Sequence, residues 1–89
     1  MSTTLDHIRR WLDGVTAKNK YMLVICDTFD HEDFPVYCNT GREAWQRILS
    51  AQRGENMEKF MECYDLSLPL EEQIKYGRIR NFPPESEKP

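Results

Sequence analysis

Residues 21–38 read YMLVICDTFDHEDFPVYC: an apolar run, a turn crowded with carboxylates, and a second short apolar run. The first run is too short for a typical helix. Its centre, Leu23-Val24-Ile25-Cys26, is apolar on both faces of an extended chain, the pattern of a strand covered on two sides or central in its sheet. The polar stretch 28–33 is expected to turn the chain and residues 34–38 to resume it. So short a connection makes the two strands antiparallel neighbours. Pro35 has no backbone N–H, which gives the second strand an edge-like position.

Working outward, the preceding segment carries Leu5, Ile8, Leu12 and Val15 at helical spacing with Trp11 beside the stripe. Thr3 and Thr4 suit its N-cap, and Asp6 and Lys18 suit the two ends of its dipole. The spacing predicts a first helix over 4–18, weakened near its end by Gly14, then a polar connection over 17–20. After the hairpin, Thr40-Gly41-Arg42-Glu43 reads as a capping box. Ala44, Trp45, Ile48 and Leu49 mark one face of a second helix over 41–52, with Trp11 and Trp45 as the anchors of helices on sheet. Arg53-Gly54-Glu55-Asn56 breaks that pattern.

Residues 57–66 read two ways. Met57, Phe60, Met61 and Tyr64 fit a helical stripe, while 61–66 also reads as a strand. A third strand is the preferred reading, because two strands alone make a marginal sheet. A short helix follows over about 67–77, with Pro69 in its first turn and Leu70 and Ile74 buried. The expected fold is a small single α+β domain over 1–82, α-β-β-α-β with a further short helix, its three-stranded sheet packed by helices. The last stretch, PPESEKP, is a disordered tail over 83–89 by composition.

The chain has 89 residues, 39% hydrophobic and 30% charged, ordinary for one soluble globular unit. No apolar run approaches the roughly 20 residues that span a bilayer, and no basic-then-apolar leader opens the chain. A cytoplasmic protein without membrane contact is therefore expected. Three cysteines, Cys26, Cys38 and Cys63, are an odd number with no C-x-x-C pair, which suits reduced thiols. A net charge of −3 argues against a nucleic-acid binder. Arg9, Arg10, Lys18 and Lys20, with Arg78 and Arg80 elsewhere, read as solvated surface, and His7 as an exposed helix residue.

Chemistry concentrates in the turn. Asp27-Thr28-Phe29-Asp30-His31-Glu32-Asp33 brings four carboxylates and an imidazole into seven residues. Asp27, Asp30, His31 and Asp33 are the donors a metal-binding protein or metal-dependent enzyme would use, with Cys26 or Cys38 making a softer set. Their spacing matches neither a zinc finger nor an EF-hand loop, and Asp also favours turns for local hydrogen-bonding reasons. Cys38 with His31 as base is the candidate nucleophile if the hairpin closes tightly, though cysteine in an apolar strand is more often core. No catalytic motif and no cofactor pattern is present, so no cofactor is expected. Phe29 within a polar loop, ringed by Asp30, His31, Glu32 and Asp33, has the composition of a protein-binding hot spot. The alternative is that Phe29 folds back onto the core edge. An open edge of the third strand would also allow a homodimer.

The segment ICDTFDHEDFPVYC, followed by a helix and MECYDLSLPLEEQ, resembles a family of small phage and bacterial proteins whose members carry CDTFDxEDYPVYV and MEVYDLS. The likeness covers most of the chain. Phe34 stands where tyrosine is common and Cys38 where valine is common, which argues against a required thiol at Cys38. The resemblance implies no catalytic or binding residue. It implies a phage or mobile-element accessory protein. The expected function is a non-enzymatic protein-binding module acting on host machinery, antiviral defence included.

Overall fold

The computed structural model describes residues 4–75 and 79–89. Its centre is β1, Tyr21–Asp27, flanked on one side by β2, Glu32–Cys38, and on the other by β3, Glu58–Asp65. Both pairings are antiparallel. The helices are α1, Leu5–Asp13, α2, Gly41–Gln52, and α3, Leu70–Ile74, giving the order α-β-β-α-β-α of a small α+β domain. Among the described residues no helix is long and apolar enough to cross a membrane.

Alternation along β1 divides the core in two. Tyr21, Leu23 and Ile25 face one way, against Ala44, Trp45, Ile48 and Ala51 of α2. Met22 and Val24 face the other way, with Ile8 of α1 and Ile74 of α3. Met22, Leu23, Val24 and Ile25 are completely buried, so β1 is covered on both faces as its composition requires. Full burial of such side chains stabilises by roughly 1.5–3 kcal/mol each.

β3 is less regular. Val24 pairs with Glu62 but Ile25 pairs with Phe60, so Met61 is an extra residue, a β-bulge. An unbroken strand would send Phe60 and Cys63 to opposite faces. The bulge puts both in the cluster under α2. Cys38 and Cys63 lie on β2 and β3, with β1 between them. Two strand spacings are about 10 Å, too far for a disulfide, and all three cysteines are free.

Helix α1 is shorter than the expected 4–18. It ends at Asp13, and Gly14 is its C-cap. Beyond it, Thr16 N–H donates to Asn19 Oδ1 at 2.8 Å, a local turn that competes with helix. Tyr37 hydroxyl, from β2, donates to the Trp11 carbonyl at 2.6 Å and takes up a group of the last turn. At the other end Thr4 caps, and His7 completes the capping box by accepting from the Thr4 N–H. Helix α2 matches its expected span. Thr40 Oγ1 accepts from the Glu43 N–H at 3.0 Å, but Glu43 reaches one residue further than a capping box would, accepting from the Asn39 N–H. The expected cap at Thr3, the helix end at Tyr76-Gly77 and the basic residue Arg78 lie outside the described residues.

Residues 79–89 run along the outer edge of β3 and then over α2. Cys63 N–H donates to the Ile79 carbonyl at 2.8 Å, and Asn81 N–H to the Cys63 carbonyl at 3.0 Å, a parallel bridge on the edge expected to be open. Residues 83–89, expected from composition as a disordered tail, are placed against α2, with a single 3-10 turn at Glu85–Glu87. The reason is tertiary: Trp45 supplies a surface that composition does not reveal, donating its indole N–H to the Pro84 carbonyl at 3.0 Å.

Candidate functional site

The hairpin turns through residues 28–31, beginning where expected and closing two residues sooner, because Glu32 and Asp33 already pair in β2. Asp27 organises the turn. Its Oδ1 accepts from the Phe29 N–H at 2.9 Å and from the Asp30 N–H at 3.3 Å, an Asx turn closing the end of β1. His31, at φ 58°, takes the left-handed conformation that returns the chain to β2. Histidine is one of the few side chains enriched there. Phe29 is left 72% exposed on a backbone whose N–H is already satisfied, and it does not fold back onto the core edge.

A second loop supports this turn from beneath. Thr28 donates to the Met57 carbonyl through both its N–H, at 2.8 Å, and its hydroxyl, at 2.7 Å. The supporting loop holds Gly54, Asn56 and Met57 at φ values of 76°, 56° and 59°. Methionine in that region costs on the order of 1–2 kcal/mol, so the Thr28 contact helps hold a conformation the chain would otherwise relax. Met57 is 54% exposed. The hairpin end thus carries two exposed apolar side chains, Phe29 and Met57, with Asp30, His31 and Glu32 exposed beside Phe29. Asn56 and Gly54 are residues that favour left-handed backbone, which the sequence shows. Nothing in the sequence marks Met57.

The donors of the metal reading do not all share one face. Glu32 and Glu58 flank Asp27 in the sheet and share its face, while Asp33 pairs with Cys26 in the next row, on the opposite face. Asp27 is engaged with the turn's amides, and Glu58 takes a two-pronged ion pair from Arg47 at 2.9 and 3.3 Å. Asp27 and Asp33, two of the donors of the metal reading, are therefore on different sides of the hairpin. Among the described residues no group of three or more His, Cys, Asp and Glu side chains is placed to hold a metal. The proposed nucleophile and base are separated too. Cys38 ends β2 where His31 precedes it, roughly 20 Å of extended chain apart.

The thiols follow their burial. Burial pushes Cys38 up to about 12, with the Glu43 carboxylate adding to it. Burial pushes Cys63 up to about 12 as well, with Cys38 and Asp65 contributing. Cys26 is raised by burial and by the nearby Asp33 carboxylate, while its thiol donates to the Asp27 carbonyl at 3.7 Å. None of the three has the lowered value of an activated thiol. Cavities of about 350 Å³, lined by residues including Asn19, Tyr21 and Asp65, and about 280 Å³, lined by residues including Leu12, Leu70 and Ile74, lie away from the turn.

Comparison with family models, with curated proteins and with solved structures returns no match for this chain.

Proposed function

We propose that the chain is a non-enzymatic protein-binding module whose contact surface is the hairpin end: Phe29, Asp30, His31, Glu32 and Asp33, widened by Met57. The observation that carries this reading is the exposure of Phe29, 72%, on a turn whose backbone is fixed by Asp27. An aromatic on a fixed backbone has only its own side-chain rotamers left to order on contact, and the surrounding charges supply the polar rim of an interface. The resemblance to small phage and bacterial proteins points to host machinery, antiviral defence included, as the class of partner.

The test is affinity capture from the host in which the chain acts. Wild type is expected to retain a discrete partner, and the Phe29→Ala, Glu32→Ala double variant is expected to lose it while melting like wild type. An unchanged captured set with the folded double variant removes the hairpin end from the account.

A further inference from the structure

Residues 79–89 lie on the domain in the manner of a bound peptide. After the two-bond bridge at Cys63, the segment extends over a shelf made by Phe60 of β3 and Trp45 of α2. The guanidinium of Arg80 sits 5.5 Å from the Phe60 ring centroid. Phe82 stacks on Trp45, with centroids 5.2 Å apart and planes 17° from parallel, and tilts against Phe60 at 5.6 Å. Pro84 has φ −55° and ψ 144°, the polyproline II conformation, and its carbonyl takes the Trp45 indole N–H. Lys88 Nζ lies 4.7 Å from the Trp45 ring centroid.

The start of α2 is shaped to the same segment. Gly41, its first residue, is buried. A Cβ there would overlap the Glu87 carboxylate, the far end of a flexible side chain, and stand 3.0 Å from Pro83 Cβ, so the segment packs directly on the glycine. The Glu87 carboxylate thus lies beside the first residue of a 12-residue helix, the end where the dipole favours negative charge. An indole N–H aimed at a carbonyl, beside aromatic rings that face proline-bearing extended chain, is how aromatic grooves take proline-rich peptides.

We infer that Trp45, Phe60 and Gly41 form a peptide-binding site for an extended segment with an aromatic residue, two prolines and following acidic residues. The chain's own residues 80–88 are its built-in competitor. The site goes beyond the hairpin-end reading and shares no residue with it. A partner segment of this chemistry must displace the intramolecular one, whose effective concentration is on the order of millimolar.

The experiment uses a fluorescent peptide of sequence RNFPPESEKP and full-length protein, read by anisotropy. Phe82→Ala with Pro84→Gly weakens the resident segment and leaves the shelf intact. This variant is expected to bind the peptide at least about tenfold more tightly than wild type, whose site is already filled. Adding Trp45→Phe, which keeps an aromatic ring and removes the N–H, is expected to abolish the gain. The milder pair Glu87→Ala with Lys88→Ala, both exposed, gives a smaller gain in the same direction and serves if the first variant fails to melt cooperatively. No gain in a folded variant overturns the inference. So does a gain that survives Trp45→Phe, because the peptide is then bound elsewhere.

Discussion

Thr28 donates twice to the carbonyl of Met57, by its N–H at 2.8 Å and its hydroxyl at 2.7 Å. The contact spans the gap between the hairpin turn and the loop that enters β3, two segments 29 residues apart in sequence. It places Phe29 and Met57 on one end of the sheet and makes the turn part of the fold rather than an appendage to it.

Thr28→Val keeps the N–H bond and the shape of the side chain while removing the hydroxyl bond. A loss of about 0.5–1.5 kcal/mol is expected from urea unfolding, the worth of one such hydrogen bond. Amide exchange at residues 54–57 is expected to quicken in the same variant, since the strained loop loses one of its ties. Unchanged exchange there would mean that the loop holds its own conformation.

Phe29→Ala separates surface from core. With 72% of the residue exposed, the substitution is expected to change stability by no more than about 0.5 kcal/mol. Leu23→Ala, at a fully buried position of β1, is expected to cost about 2–5 kcal/mol. Thermal melts of the two variants check the contrast, and a large loss in Phe29→Ala would show the ring to be structural.

The sequence made some of this architecture readable and concealed the rest for identifiable reasons. β1 was legible because a strand buried on both faces must be apolar throughout, and α2 because Thr40 and the Ala44, Trp45, Ile48 stripe agree. β3 was ambiguous because the bulge at Met61 breaks the two-residue period. The residues of the helical reading are divided by the strand: Phe60 lies in the cluster under α2, and Met61 and Tyr64 lie in the opposite one. The end of α1 is set partly by Tyr37, 26 residues away from the Trp11 carbonyl it caps, and no local pattern carries that. At the candidate site, the exposed Phe29-Asp30-His31 run was legible as a turn, whereas Glu32 and Asp33 belong to β2. The separation of Asp33 from Asp27 follows from register, which depends on where the turn closes. Met57 at positive φ has no sequence signal.

Gln73 ties α3 to the end of β3. It is only 5% exposed, its Oε1 accepts from the Asp65 N–H at 2.9 Å and from Asn81 Nδ2 at 2.7 Å, and its Nε2 donates to the Asp65 carbonyl at 2.7 Å. Gln73→Leu conserves size and strips these partners, leaving the backbone polar groups of Asp65 unmatched. A loss of about 1–3 kcal/mol is expected in denaturant unfolding. Breaking the nearby exposed pair with Lys75→Ala, which frees Glu72, is expected to cost about 1 kcal/mol at most.

Alkali should destabilise the fold before it reaches the thiols. Cys38 and Cys63 are held up to about 12 when folded, against roughly 8.5 for a free thiol. The unfolded chain therefore releases protons first. Stability is complete below about pH 8.5 and falls as pH rises toward 12. Tyr21, Tyr37 and Tyr64, each raised chiefly by burial, act in the same direction. The urea midpoint is expected to be flat from pH 7 to 8 and to drop from pH 9 to 11. In native protein at pH 8, iodoacetamide is expected to label Cys26 first, with Cys38 and Cys63 labelled only after unfolding.

The central claim is that the hairpin end meets a partner. The most direct measurement places a photo-crosslinking p-benzoylphenylalanine at position 29, and in a second protein at Gln46, an exposed position on α2. Irradiation in the host cell is expected to give one discrete protein adduct from position 29 and none from position 46. No adduct from position 29, or the same adduct pattern from both, would contradict the account.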